Sequence, residues 1–215
     1  MCPTEYQTYY RRHLPHAHPP GATFFVTCRL ANTIPARQMA QLLYDARLAE
    51  DELTALTDGA QREQHAYTVH RRLFAKWDGY LHAADAGPKW LAEPEVAQLV
   101  TNSLHHGDRS TYDLLCHCIM PNHLHVVFTP LPDAEAHYPS VAKTLQSLKG
   151  YTAFKGNAIL QRAGPFWQHE SYDHWARDDA ELARIVAYVI NNPVKANLVP
   201  HWQDWPWTYT KYSPR

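Results

Sequence analysis

Long apolar runs are missing from this sequence. No stretch approaches the roughly 18 to 20 uninterrupted apolar residues that a bilayer span requires, and the opening "MCPTEYQTYYRRHLPHAHPP" has no apolar centre of the kind a signal peptide carries. The expectation is a cytoplasmic protein with no membrane partner. Cysteine is scarce as well, with four in 215 residues. Cys116 and Cys118 stand one residue apart, too close for a usual structural disulfide, so reduced thiols are expected. A strong positive charge is also absent: the net charge is -1, which removes the simplest signature of a nucleic-acid binder. There are no repeats and no low-complexity tract.

The average charge hides a gradient. Residues 1–30 carry three Lys/Arg against one Asp/Glu, residues 31–140 eight against fourteen, and residues 141–215 nine against six. A polyanion would meet the two basic ends rather than the acidic middle. With 45% hydrophobic residues the chain can fill the interior of one generous domain, expected to span 1–215.

Three runs rich in β-branched and aromatic residues read as strands: "ATFFVTCRL" (22–30), "YDLLCHCIM" (112–120) and "LHVVFTP" (124–130). Between the first and second lies a helical, acidic block over about 35–108. From 141, "VAKTLQSLKGYTAFKGN" reads as an amphipathic helix with Leu145, Leu148 and Phe154 inward, and "GPFWQHESYDHWAR" as a short strand and turn. The last helix has Asp178 or Asp179 as N-cap, an apolar stripe of Leu182, Ile185, Val186 and Val189, and Pro193 as its stop. The tail from about 200 to 215, with three tryptophans, is expected to pack as an aromatic arm.

The first chemical signal is "PNHLHVVFTP" (121–130). On a strand, alternate residues share a face, so His123 and His125 point the same way and can converge on one divalent ion. The plainer alternative is two of fifteen histidines exposed on a strand surface. On the last helix Glu181, Arg184, Tyr188 and Asn192 form a polar stripe, and a tyrosine with an asparagine four residues on can supply a nucleophile and a third metal ligand. Tyr172 and Tyr151 are rival nucleophiles without an amide at the same spacing. Cys116 and Cys118 with the histidines could be drawn as a zinc site, but zinc ligands usually come as C-x₂₋₄-C, and two small buried thiols are the simpler reading.

Taken together, "MPNHLHVVFTP", "FWQHESYDHWARDDAE" and "YVINNPVKANLV", with the N-terminal "YYRRHLP" and the late "WQDWPW", resemble the REP-associated tyrosine transposases, single-tyrosine members of the HUH endonucleases related to IS200-like transposases. The resemblance covers residues from about 5 to 210. It implies an α+β fold with a ferredoxin-like βαββαβ core, a helical insertion between the first and second strands, and a C-terminal catalytic helix. It also implies His123 and His125 as metal ligands, Tyr188 as nucleophile and Asn192 as third ligand. Mixed nitrogen and oxygen ligands suit Mg²⁺ or Mn²⁺. The implied activity is nicking and joining of single-stranded DNA at palindromic repeat hairpins through a 5′-phosphotyrosyl link. The alternatives are a protein that binds the same repeats without cutting them, and a zinc-stabilised nucleic-acid binding module. Arg11, Arg12, Lys149, Lys155 and Lys195 are candidate DNA contacts, with Lys143 and Lys211 further basic residues of the same kind. The sequence leaves monomer or homodimer open.

Overall fold

Runs of β-branched and aromatic residues pair as strands because their side chains pack on a pleated surface, and here they build one sheet. The structure, a computed structural model, describes residues 9–11, 15–17, 19–83 and 87–212. The strands are β1 (Tyr9–Arg11), β2 (Pro15–Ala17), β3 (Phe24–Arg29), β4 (Tyr112–Ile119), β5 (His123–Pro130), β6 (Tyr172–Trp175) and β7 (Thr208–Thr210). The helices are α1 (Ala36–Ala55), α2 (Gly59–His82), α3 (Pro94–Gly107), α4 (Val141–Ile159), α5 (Asp179–Ile190) and the short α6 (Asn192–Lys195). β1 and β2 form a small hairpin, and the other five strands make an antiparallel sheet in the order β6-β3-β5-β4-β7. The chain path β3, α3, β4, β5, α4, β6 with that order is the ferredoxin-like βαββαβ arrangement, extended by β7 at one edge.

Two compact units are present. The larger holds the sheet with α3 to α6; the other, described over 32–83 and 87–88, contains α1 and α2. In that second unit Ile34, Leu42 and Leu81 form the buried centre, with Met39, Trp77 and Tyr80 against them. Asp58 caps α2 by accepting from Gln61 N–H at 2.8 Å. No described helix is long and apolar enough to cross a membrane.

The sheet has two faces of different chemistry. On one, Phe24, Val26, Cys28, Leu114, Ile119, Leu124, Val126 and Phe128 pack with Val96, Ala97, Val100 and Leu104 of α3 and Val141 and Leu145 of α4. Fully burying such side chains contributes about 1.5–3 kcal/mol each, so this layer carries the main share of the stability. In α4 the inward residues are Leu145, Leu148, Thr152 and Gly156, whereas Phe154 is 72% exposed. The expectation of Phe154 inward was wrong: nine residues from Leu145, at about 100° each, place it on the opposite side of the helix. Gly156 is required at its position, since a Cβ there would lie 2.8 Å from Phe166 Cε2.

Registers decide what faces the other way. β4 carries a bulge between Leu114 and Cys116. The extra residue reverses the alternation, turning Cys116 and Cys118 to the face opposite Leu114 and leaving His117 on the core side. The β4–β5 hairpin closes where Met120 N–H donates to His123 C=O at 2.8 Å across Pro121 and Asn122. The C-terminal segment is part of the sheet: β7 pairs with β4, and Trp205 Nε1–H donates to Ile119 C=O at 2.9 Å.

Candidate active site

Opposite partners in antiparallel strands share a face, and the registers Thr27↔His125, Arg29↔His123, Cys118↔His125 and Thr27↔Tyr172 collect one polar row across the sheet. His123 and His125 are buried there, at 1% and 0% exposure. Their Nε2 atoms stand 3.1 Å apart. The outer nitrogens are both engaged, His123 Nδ1 with Asn122 Oδ1 at 2.6 Å and His125 Nδ1 with Thr27 Oγ1 at 2.8 Å. Asn122 Oδ1 can only accept, so His123 carries its proton on Nδ1 and turns the Nε2 lone pair toward His125. Holding the outer nitrogen in this way is how proteins orient a ligating imidazole.

α5 covers this face. Asp178 caps it by accepting from Glu181 N–H at 2.7 Å. Glu181 is buried, accepting from His174 Nε2 at 3.0 Å, from Arg177 N–H at 3.0 Å and from Arg177 Nε at 3.3 Å. The stripe expected to be polar throughout therefore includes one carboxylate that ties α5 to β6, while Arg184 is exposed. Tyr188 lies with its ring 5.5 Å from that of His125 and 5.9 Å from that of Phe25, both edge-on. Lys195 Nζ stands 5.2 Å from the centre of the Tyr188 ring. Tyr172 also reaches this region, 6.1 Å from Phe25. Tyr151 sits on α4, on the other side of the sheet, and is 52% exposed.

Asn192 is displaced from the helix expected to carry it. α5 ends at Ile190, Asn191 turns with φ -85° and ψ 2°, and Asn192 opens α6, with Pro193 starting this second helix. The Asn192 side chain is fully buried, and neither its Oδ1 nor its Nδ2 has a hydrogen-bond partner. A buried amide with both ends unmatched costs free energy unless something else satisfies it.

A divalent cation fits these residues. Two donors at right angles about an ion with ligand distances of about 2.1 Å are about 3.0 Å apart, close to the 3.1 Å between the imidazole nitrogens. An amide oxygen lacking any other partner is the right kind of additional donor. Cys118 lies beside His125 but does not join them as a thiolate. Burial pushes its thiol up to about 12, and it donates to Met120 Sδ at 3.6 Å and accepts from Thr208 Oγ1 at 3.4 Å. Burial also raises the Cys116 thiol, so the two small buried thiols stay protonated.

The basic residues divide. Lys149 Nζ donates to His169 C=O at 3.0 Å and to Ser171 Oγ at 2.8 Å. Lys155 lies over Phe154 at 5.7 Å on the outer side of α4, away from Tyr188. Lys143 is exposed, and Lys211 is paired with Asp113 at 2.6 Å. Arg12 lies outside the described residues, and for Arg11 the description stops at the backbone of β1. Sequence reasoning missed Thr27, Asn122 and Arg29. Asn122 adjoins the histidines in the chain and was within reach of it, but Thr27 and Arg29 become neighbours only through the β3–β5 register.

No family model matches the sequence. A protein of Haemophilus influenzae named as a REP-associated tyrosine transposase is 30% identical over 103 residues, spanning 45% of this chain and 58% of the relative. A solved structure of a REP-associated tyrosine transposase bound to a REP hairpin matches with a TM-score of 0.53 at 16% identity, covering 93% of this chain and 80% of that one. The resemblance read in the motifs is borne out along both lines: this chain is similar to the REP-associated tyrosine transposases in sequence over part of its length and in fold over nearly all of it.

Proposed function

We propose that this protein nicks and rejoins single-stranded DNA at hairpins formed by palindromic repeats, through a transient covalent bond to Tyr188. The observation that carries the reading is the pair of buried imidazoles with Nε2 atoms 3.1 Å apart and the Tyr188 ring 5.5 Å from that of His125. The names of the two similar proteins, one a transposase and one bound to a REP hairpin, support DNA hairpins as the partner.

His123, His125 and Asn192 would hold the cation, Mg²⁺ or Mn²⁺. When bound, it would neutralise charge on the non-bridging oxygens of the scissile phosphate. The phenolic oxygen of Tyr188 gives up its proton to water and bonds to phosphorus, the bond from phosphorus to the 3′-oxygen breaks, and that oxygen takes a proton back from water and leaves as a 3′-OH. The 5′-phosphate stays on Tyr188. Attack by a 3′-OH on the same phosphorus reverses the step, so strands are joined without a nucleotide cofactor. Lys195 Nζ, 5.2 Å from the centre of the Tyr188 ring, places a cation beside the nucleophile.

The test is incubation with labelled single-stranded oligonucleotides carrying palindromic hairpins of the source genome, with Mg²⁺ or Mn²⁺, followed by denaturing electrophoresis. A protein–DNA adduct that needs the cation is expected. Hairpin binding with no adduct under any cation refutes the cutting reading in favour of a binding protein.

A further inference from the structure

Arg29 ends β3 directly opposite His123, on the face that carries the histidine pair. It is 5% exposed, an unusual degree of burial for a guanidinium. A buried arginine that serves the fold saturates its five donors with carbonyls or carboxylates. Among the described residues none lies within hydrogen-bond distance of this guanidinium. Glu170 acts on it through charge alone, and burial lowers its pKa to about 10, with Glu170 opposing. Its nitrogens are not among the fully enclosed unpartnered atoms, so the tip stays reachable while the stem is buried. The backbone is fixed, since Gln168 N–H donates to Arg29 C=O at 2.9 Å.

A positive fork with unused donors, opposite a histidine pair placed to hold a cation, suits an anion with several oxygens. Arginine matches phosphate with paired hydrogen bonds and stays charged at any working pH. We infer that Arg29 is a catalytic residue that binds the non-bridging oxygens of the scissile phosphodiester and offsets the charge that builds on them as the Tyr188 oxygen attacks. This rests on the nicking reading above and adds to it a second cationic contact supplied by the chain itself. Phosphorus passes through a state with more charge on its equatorial oxygens, so a fixed guanidinium there lowers the barrier more than it strengthens binding.

The experiment compares wild type, Arg29→Ala, Arg29→Gln and Arg29→Lys in single-turnover adduct formation at saturating hairpin oligonucleotide, with hairpin affinity by fluorescence anisotropy and melting temperature alongside. Arg29→Ala should slow adduct formation by about 100- to 1000-fold with hairpin affinity changed by less than about threefold, and Arg29→Lys should recover part of the rate. If the alanine variant does not fold, the near-isosteric glutamine variant carries the same expectation. A second substrate, with a neutral methylphosphonate at the scissile position, isolates the charge. It should slow the wild type severely and Arg29→Gln far less, closing the gap between them by tenfold or more. Rates within threefold of wild type for Arg29→Gln, or equal slowing of both proteins by the neutral linkage, overturn the contact. A wild type that forms no adduct on the ordinary phosphodiester fails the nicking reading itself, and that control separates the two failures.

Discussion

His117 makes the fold acid-labile in a way that can be worked out in advance. Its ring lies on the core side of β4, against His105 of α3 at 5.5 Å and Tyr209 of β7 at 5.6 Å. Neither ring nitrogen has a hydrogen-bond partner; the Trp207 backbone approaches the ring without reaching hydrogen-bond geometry. Burial, with His105 beside it, holds its pKa down to about 3, against 6.5 ordinarily. The unfolded chain therefore binds this proton first. Stability from His117 is complete above about pH 6.5 and is lost as pH falls toward 3, at about 1.4 kcal/mol per pH unit. Between pH 7 and pH 5 the loss is about 2 kcal/mol. The variant His117→Leu has no proton to take up and no unmatched ring nitrogens, so it should equal or exceed the wild type at pH 7. Its advantage should grow by about 2 kcal/mol at pH 5. Urea unfolding of both proteins at the two pH values measures this, and the difference between proteins cancels every carboxylate they share. An advantage that stays constant from pH 7 to pH 5 would refute the reasoning.

Three further outcomes follow from single contacts. Gly156→Ala should destabilise by about 1–3 kcal/mol despite the better helix propensity of alanine, because the new methyl meets the buried Phe166 ring; thermal melting checks it, and a gain in stability would show that the ring yields. Glu181→Ala should cost about 2–4 kcal/mol in urea unfolding, since it strands the donors of His174 and Arg177 that hold α5 to β6; a cost below about 0.5 kcal/mol would place the anchor elsewhere. Asn122→Ala should weaken Mn²⁺ binding by about 10- to 100-fold by releasing His123 Nδ1, and calorimetric titration showing unchanged affinity would contradict that orienting role.

The strands and long helices were legible because their periodicity is local. β3, β4 and β5 were read within one or two residues, and the last helix was recognised from Asp178 and its apolar stripe. Phe154 was misread because apolar character was given more weight than angular position on α4. The bulge at Leu115 leaves no local mark in "YDLLCHCIM", yet it decides which face Cys118 and His117 occupy. The histidine pair was visible as H-x-H. Of its supporting contacts, Asn122 is the neighbour in the chain, whereas Thr27 is nearly a hundred residues away and arrives through a register that no single segment encodes. The break at Asn191 was half visible: Pro193 signalled a stop, but the separate turn that carries Asn192 into α6 depends on packing.

The account stands or falls on the covalent bond to Tyr188. Its most direct measurement is mass spectrometry of tryptic peptides after reaction of the protein with a single-stranded hairpin oligonucleotide and Mn²⁺, alongside the variants Tyr188→Phe and Tyr172→Phe. The account predicts nucleotide mass on the peptide containing Tyr188 in the wild type and in Tyr172→Phe, and none in Tyr188→Phe, whose hairpin affinity should be nearly unchanged. Nucleotide mass that persists in Tyr188→Phe and disappears in Tyr172→Phe would contradict it, and would move the nucleophile to β6.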